Sequence, residues 1–515
     1  MVLGEVLEAL APVLGTRAHD LSLWSAIRAA HAAAVLGHPA DELAETFFNS
    51  ITRRVLQTVG TNQAVEYLDF RFERLGQPAA ELAVRSFAVE GGARDAVRAL
   101  LSALPFRAPW AHRDADADRA AAEIEREWAG GGAPFELEAL EFLPVFYRRK
   151  GAYLVGRARG GNRAMPLVLA LVHGPDGVAV DAVLPSEDAV SIVFSFTRSY
   201  FLVDIDCPSA AIAFLRTLMP LKPVSELYTS LGHHKHGKTE FYRALRRHLN
   251  RTAEKFERAP GARGMVMEVF TLPSFGAVFK VIRDTFPPPK RTTPAEVRQR
   301  YKLVFAHDRA GRLVDAQEFQ ELAFARDRFA PALLEDLLET AAHTVRVEGE
   351  QVVIDHLYAE RRVQPLDLFL EDAAPEAALA AAHDYGQTIR DLASTGIFPG
   401  DLLLKNFGVT RHGRIVFYDY DELRLLSECR FREFPVPRTP EDELADEPWF
   451  YVGPNDVFPE ELRRFVPFGG PLRDAFLASH GDLYQTAFWH GLQADQAAGV
   501  VADIFPYPDA RRLAP

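Results

Sequence analysis

Apolar residues recur at three- and four-residue steps through the first 130 positions, most cleanly over Leu21–Val35 and Ala80–Leu101, where Ala, Leu and Arg dominate. That period puts the apolar side chains on one helix face and predicts a helical N-terminal region over residues 1–130. Gly130-Gly-Gly-Ala-Pro134 interrupts it. From Glu138 to Asp206 short β-rich runs take over: Ala152–Val155, Leu167–Val172, Val178–Val183 and Val190–Phe196. Turn sequences such as Gly174-Pro-Asp-Gly177 separate them, which predicts a small antiparallel sheet. The helical period returns over Ala210–Leu218 and Thr239–Phe256.

Ala259-Pro-Gly-Ala-Arg-Gly264 breaks the chain after a charged helical stretch and marks the main boundary. Two β runs come next, Met265–Leu272 and Ala277–Ile282, joined by the turn Pro273-Ser-Phe-Gly276. Phe286-Pro-Pro-Pro-Lys290 opens a polar connection, and helices are expected over Pro294–Phe305 and Asp315–Phe324. Thr344–Glu348 and Gln351–His356 flank Gly349 as a second hairpin, and Ala374–Leu392 is helical. The expected fold is therefore α+β. A mostly helical domain, residues 1–256 with a β-rich segment at about 138–206, precedes a second domain, residues 257–515, in which a small β-rich lobe leads into a helical lobe. That two-lobed order is the protein-kinase layout. No internal repeat or long low-complexity segment is present.

Composition narrows the picture. A chain of 515 residues, 48% hydrophobic and 25% charged, has material for large cores. The formal charge of −13 argues against general nucleic-acid binding. Two cysteines, Cys207 and Cys429, suit a reducing compartment as ordinary buried thiols and exclude a cysteine-based zinc ribbon. The N-terminus carries Glu5 and Glu8 and no basic stretch, so it does not read as a signal peptide. The longest apolar run, Met165–Val172, is too short to span a bilayer. A cytoplasmic protein with neither nucleic-acid nor membrane partners is expected.

The candidate chemistry lies in Phe398-Pro-Gly-Asp-Leu-Leu-Leu-Lys-Asn-Phe-Gly408 and Gly413-Arg-Ile-Val-Phe-Tyr-Asp-Tyr-Asp-Glu422. Four residues separate Asp401 from Asn406, the spacing of the kinase catalytic loop. Asp419 comes directly after the apolar strand Ile415–Tyr418, where a kinase carries the metal-binding aspartate of its D-F-G motif. Asp401 is then the candidate base or orienter. Asn406 and Asp419 are candidate ligands for magnesium, a hard ion that takes oxygen donors. Lys405 could contact the transferred phosphoryl group, and Asp421 adds a carboxylate two residues along the strand. Any one of these could be a turn or surface acid; their joint spacing points to phosphoryl transfer, in which the protein positions groups and neutralises charge. Lys280, flanked by apolar residues in Val278-Phe-Lys-Val-Ile282, has the setting of a lysine that holds nucleotide phosphates, although the solvent face of an edge strand gives the same pattern. The two glycines of Pro260-Gly-Ala-Arg-Gly264 permit close backbone approach to phosphate, and Arg263 adds charge.

A competing motif, Gly232-His-His-Lys-His-Gly-Lys-Thr239, satisfies the P-loop pattern in full. A P-loop NTPase would use Lys238 and Thr239. The preceding Ser225–Leu231 is not a buried apolar strand, and His233, His234 and His236 match no standard zinc spacing. A silent nucleotide-sensing module on a kinase-like fold is a third reading.

Beyond these motifs the chain resembles the bacterial isocitrate dehydrogenase kinase/phosphatase family over most of its length. The stretches that carry the resemblance are Gly232–Tyr242, Ala259–Met265, Val278–Asp284, His307–Phe319, Phe398–Glu422 and Val452–Glu460. Ala262 and a compact N-terminal region depart from the family without touching the acidic or lysine positions. The resemblance implies a bifunctional enzyme that phosphorylates a serine of NADP-dependent isocitrate dehydrogenase with ATP and Mg2+, or Mn2+ in its place. It also removes that phosphate, with ADP at the shared site, and so sets the split between the Krebs cycle and the glyoxylate bypass. Residue by residue, Ala259, Pro260, Gly261, Ala262, Arg263, Gly264 and Met265 fall on the ATP loop and Lys280 on the nucleotide lysine. Asp315 falls on the acid of the phosphatase reaction. Asp401, Asn406, Asp419 and Asp421 fall on the catalytic and metal positions. The N-terminal half falls on a regulatory domain with AMP as effector near the domain junction; a homodimer is one assembly open to the chain, and the sequence does not fix the number of subunits.

Two readings of Asp315 stay open, the phosphatase acid and a helix N-cap completed by Glu318 in a capping box. Glu318 is also a candidate partner for Lys280. Val452–Pro467 could dock a folded protein substrate or be a structural loop packing Phe458 and Phe465.

Overall fold

The computed structural model describes residues 2–68, 82–131, 136–196, 199–288, 290, 292–307, 309–439, 449–466 and 468–513. The chain forms two compact units. One holds residues 1–253 with Glu321–Ala323 and Phe505–Pro515; the other holds Glu254–Gln320 and Phe324–Ile504.

The first unit opens with helices Val2–Leu14, Leu21–Val35 and Asp41–Leu56, packed around Trp24 and Phe48. The Asp20 side chain accepts the Ser22 and Leu23 N–H groups and so starts the second helix. An antiparallel sheet comes next, ordered Arg85–Ala88, Ala139–Phe142, Gly151–Gly160, Arg163–Gly174, Gly177–Leu184, with Phe146–Arg148 on the third strand. Leu154, Leu167, Leu169 and Leu171 face one core with helices Ala93–Ser102 and Arg113–Gly130. Tyr153, Val155, Val168 and Ala170 face a second core with helices Glu187–Val193, Pro208–Leu218 and Val224–Ser230. Cover on both faces explains why Met165–Val172 reads as one apolar run rather than an alternation.

Two expectations fail here. Ala80–Leu101 is not one helix: residues 80 and 81 lie outside the described residues, and Arg85–Ala88 is a strand paired with Ala139–Phe142 before the helix begins at Ala93. Val190–Phe196 is not a strand, because the helix Glu187–Val193 occupies it. Ser186 caps that helix by accepting the Ala189 N–H, and Glu187 and Asp188 complement its N-terminal dipole. The β-branched residues suggest a strand, but the cap outweighs them. Part of Gly130–Pro134 also lies outside the described residues.

In the second unit, five strands run in the order Ala316–Ala325, Gln351–Arg361, Ala277–Ile282, Met267–Thr271, Glu257–Arg258. Val345–Glu348 forms the expected hairpin with Gln351–Arg361 about Gly349, whose φ of 59° suits a residue without a Cβ. In place of the helix expected over Asp315–Phe324 stands the strand Ala316–Ala325, so the capping box does not form. The segment takes its partner from Gln351–Arg361, and Glu318 points at His356, 2.9 Å from its Nε2. The helix Pro294–His307 meets one face of this sheet, where Tyr301 touches Met267 and Tyr358, and the helix Pro331–Thr340 meets the other, where Thr340 donates to Glu268. The rest of the unit packs round the helix Pro375–Ser394, with Tyr385, Phe407, Phe417, Tyr420 and Trp489 in its core. Cys207 and Cys429 are both buried and free. No helix among the described residues is long and apolar enough to cross a membrane.

Candidate active site

Two short strands, Phe407–Val409 and Ile415–Phe417, pair antiparallel with Phe407 opposite Phe417. Their sharp connection brings the residue before the first strand beside the residues after the second. The Tyr418 N–H donates to the Asn406 carbonyl at 3.1 Å, so Asn406 and Asp419 are neighbours. The loop before them is pinned at three points. Tyr385, buried in the helix Pro375–Ser394, donates its hydroxyl to the Leu402 carbonyl at 2.6 Å. The Asp401 carboxylate accepts the Leu403 N–H at 3.1 Å, and Asn406 Nδ2 donates to the Asp401 carbonyl at 3.2 Å. Gly400 has φ 85°, and a Cβ there would lie 2.5 Å from the Glu422 carbonyl oxygen. Only glycine lets the loop approach the Asp421-Glu422 segment this closely. Tyr385→Phe keeps the ring packing and deletes one buried hydrogen bond. We expect it to cost about 1 kcal/mol of stability, read from urea unfolding.

A cavity of about 650 Å³ opens above this loop. It is lined by Ala259, Pro260, Gly261, Ala262, Arg263, Gly264 and Met265, by Lys280, and by Lys405, Asn406, Asp419 and Asp421. The candidate nucleotide and metal residues therefore share one space. Asp401 and Asp315 do not line it. Asp401 is half-buried beside it, with its carboxyl pKa raised by burial and by Glu422. Asp315 is half-buried at the start of the strand Ala316–Ala325. The preceding Val314 N–H donates to the Phe417 carbonyl at 3.1 Å, and Asp315 bears electrostatically on Glu360.

The Ala259–Met265 loop links the strands Glu257–Arg258 and Met267–Thr271. Gly261 has φ 109°, a conformation that L side chains rarely adopt. Arg263, expected to offer charge to phosphate, instead engages Glu268 at 2.9 Å and Asp336 at 3.3 Å, so its charge is already countered.

Lys280 is 5% exposed on the central strand Ala277–Ile282. Its ammonium donates to the Tyr418 carbonyl at 2.7 Å and pairs with Glu360 at 2.7 Å. Glu318, the expected partner, is engaged with His356. Sequence reasoning misses Glu360 because the strand expected over Gln351–His356 continues to Arg361, which brings Glu360 onto the face of Lys280. The same extension carries the chain into Arg361–Pro365, which also lines the cavity. Lys290 is missed as well. It pairs with Asp421 at 2.9 Å and Glu422 at 2.6 Å. Burial works against its charge, yet these two carboxylates hold its pKa above the ordinary lysine value.

Asp419 and Asp421 crowd one another. Burial and the Asp421 charge together raise the Asp419 pKa despite the attraction of Lys280 and Lys290. Two close carboxylates and the Asn406 amide are oxygen donors in a sheltered place, which suits a hard divalent cation that keeps positions for phosphate oxygens. Among the described residues no group of three His, Cys, Asp or Glu could hold a metal alone.

The Gly232–Thr239 motif is not a phosphate loop. Gly237, Lys238 and Thr239 lie inside the helix His234–Arg251, and the element before it is the helix Val224–Ser230 rather than a strand. Gly237 is needed for packing, since a Cβ there would sit 2.4 Å from Thr229 Oγ1. His236 is buried, with its Nδ1 2.7 Å from Thr46 Oγ1. The helix therefore begins at His234, ahead of the expected Thr239. In the Val452–Pro467 segment, Val452 is exposed, as is Tyr451 just before it, whereas Phe458 packs on Phe434 and Phe450. The Phe465 side chain and Pro467 lie outside the described residues.

Residues 254–509 match the family model of the isocitrate dehydrogenase kinase/phosphatase (AceK) kinase domain, and residues 1–253 match that of its regulatory domain. The chain is 49% identical over 501 residues to an isocitrate dehydrogenase kinase/phosphatase of Anaeromyxobacter sp. strain Fw109-5. It is 50% identical over 514 residues to the protein of the same name from Anaeromyxobacter dehalogenans strain 2CP-C. Each match covers 97% of this chain and 87% of the relative.

Proposed function

Because this chain belongs to the isocitrate dehydrogenase kinase/phosphatase family, we propose that it phosphorylates isocitrate dehydrogenase with ATP and removes the same phosphate again. The observation that carries the reading is the single cavity lined together by the Ala259–Met265 loop, Lys280, Lys405, Asn406, Asp419 and Asp421. One space then serves nucleotide, cation and reacting phosphate, which both directions of the chemistry need.

Each residue has its own role in this scheme. The loop and the glycines at 261 and 264 admit the nucleotide phosphates close to the backbone. Lys280 holds their charge from below. Asn406 and Asp419 supply oxygen donors to Mg2+ or Mn2+, which when bound neutralises phosphate charge. Lys405, exposed at the rim, meets the transferred group. Asp401 accepts a hydrogen bond from the substrate serine hydroxyl and aims it; burial raises its pKa and so makes it a better proton acceptor. In the dephosphorylating direction Asp315 orients water and Asp421 stays with Lys290 as the charged wall of the site. The sheet built from Glu257 to Arg361 acts as the nucleotide lobe and the helical remainder of the unit as the substrate lobe. The N-terminal unit is the regulatory domain with AMP as its effector. A homodimer in the cytoplasm completes the proposal, the compartment resting on two free buried thiols.

Transfer from labelled ATP to purified NADP-dependent isocitrate dehydrogenase tests this directly. Label should appear with the wild type and fall by about 10²–10⁴-fold with Asp401→Ala, the range for a positioned acid–base group. Magnesium–ATP binding without label on an intact substrate would instead favour a silent sensor. A second expectation separates the directions. Asp315→Ala should slow release of phosphate from the phosphorylated dehydrogenase at least about tenfold more than it slows phosphorylation. Equal losses would make Asp315 structural or shared.

A further inference from the structure

The Lys280–Glu360 pair is built within one sheet. Tyr358 lies opposite Lys280 in the antiparallel register of Gln351–Arg361 with Ala277–Ile282, and Glu360 lies opposite Val278. Glu360 is therefore two residues from Lys280's partner and projects from the same sheet face. Its carboxylate is 2% exposed and meets the ammonium at 2.7 Å. Backbone hydrogen bonds of the sheet fix the distance between the two chains that carry the charges.

In ordinary protein kinases the corresponding glutamate comes from a helix, and the movement of that helix makes or breaks the pair. The helix that packs on the pair here, Pro294–His307, offers Tyr301 instead. The Tyr301 hydroxyl donates to Glu360 Oε1 at 3.2 Å and its ring stacks on Tyr358 at 3.8 Å. A helix shift would alter the hydrogen bond from Tyr301 to the Glu360 carboxylate and leave the Lys280–Glu360 pair in place.

We propose that Glu360 is the positioning residue for Lys280 and that the pair is assembled with the sheet rather than by a movable helix. The inference rests on the reading of the cavity as a nucleotide site. Glu360 acts through the lysine: it holds the ammonium at the cavity wall, where the Tyr418 carbonyl gives it a second anchor at 2.7 Å. The Tyr418 and Tyr420 rings face it from the strand end, 5.3 and 5.7 Å away.

A double-mutant cycle on full-length protein tests this, with a fluorescent N-methylanthraniloyl ADP as the probe. Glu360→Gln should weaken its binding by about tenfold or more, and the same change in a Lys280→Met background should add less than about twofold. Glu318→Gln should stay within about twofold of wild type, and Tyr301→Phe should lose clearly less than Glu360→Gln, because it leaves the Lys280–Glu360 contact in place. Thermal unfolding of each variant confirms that a folded protein is compared. Unchanged binding in Glu360→Gln, or equal loss with and without Lys280, would overturn the positioning role. A Tyr301→Phe loss as large as that of Glu360→Gln would overturn the second half, by making the helix the carrier. Failure of the wild type to bind the probe would overturn the nucleotide site itself, a result distinct from each of these.

Discussion

Lys280→Met should lower phosphate transfer by roughly 10²–10³-fold, the loss seen when one preorganised charge-stabilising donor is removed, whereas Lys238→Met should stay within about threefold of wild type. The contrast is sharp because both lysines sit in sequence motifs that promise phosphate contact. Lys280 lines the cavity with Asn406, Asp419 and Asp421, is fixed by Glu360 and the Tyr418 carbonyl, and cannot swing into solvent from a central strand. Methionine keeps its length and much of its packing, so the loss reports charge rather than a hole. Lys238 lies inside a helix whose neighbouring glycine is packed against Thr229. The Lys238 amide lies beyond the first turn, in the helix ladder, and so cannot join a phosphate-binding nest. Initial rates of label transfer to isocitrate dehydrogenase at saturating ATP decide the matter. A larger loss at Lys238 than at Lys280 would sink the assignment of the cavity as the catalytic nucleotide site.

The parts of this site legible in the sequence are those whose geometry is local. Asn406 and Asp419 flank one tight strand pair, so their spacing alone dictates that they meet, as the Asn406–Tyr418 backbone hydrogen bond shows; Asp401, on the same loop, bonds Asn406 through its carbonyl and stays beside the cavity. Lys280 is legible only together with the glycine loop Pro260–Gly264 before it, because an apolar strand with one lysine is also the pattern of an edge strand. Glu360 and Lys290 are not, and the reason is the same for both. Each reaches the site through pairing between segments far apart in sequence: Glu360 through a strand register about eighty residues removed from Lys280, Lys290 through ion pairs to Asp421 and Glu422. Propensity also misleads where a tertiary partner decides the outcome. The Asp315–Phe324 stretch carries a capping-box pattern, yet the adjacent strand Gln351–Arg361 offers it hydrogen bonds that an isolated helix would have to supply for itself. At Ser186 the reverse holds, and a local cap overrides β-branched residues.

Arg312→Met should strongly destabilise the second unit. The guanidinium is 5% exposed and holds three elements together. It grips Asp384 through two hydrogen bonds of 2.8 Å and Asp391 at 2.7 Å, both on the helix Pro375–Ser394, and donates to the Ile415 carbonyl at 3.0 Å. Asp384 in turn accepts the Ile415 N–H at 2.6 Å, and the Arg312 carbonyl accepts the Phe417 N–H at 2.7 Å. The strand that delivers Asp419 is thus registered on the helix by this one cation. Burial disfavours the charge, but the two aspartates raise the Arg312 pKa all the same. Removing the arginine leaves two sheltered carboxylates facing each other, and breaking one side of a buried pair costs about 3–5 kcal/mol. For a unit of this size that corresponds to a fall in Tm of roughly 6–20 °C. The acid limb carries a second signature. Arg312 and the Ile415 N–H outweigh burial and hold the Asp384 pKa below its ordinary value of 3.8. A depressed carboxyl contributes stability that is complete above the unfolded pKa and is lost as pH falls through the folded one. Wild-type protein should therefore lose this contribution only below about pH 4, whereas Arg312→Met lacks it at neutral pH and should unfold at a higher pH on acid titration. Calorimetry at neutral pH and far-ultraviolet circular dichroism along an acid titration measure both effects. A Tm within about 2 °C of wild type, less than 1 kcal/mol at this size, would show that the strand is registered without Arg312, and that the position of Asp419 rests on the hydrophobic contacts of Phe407, Phe417 and Tyr385 alone.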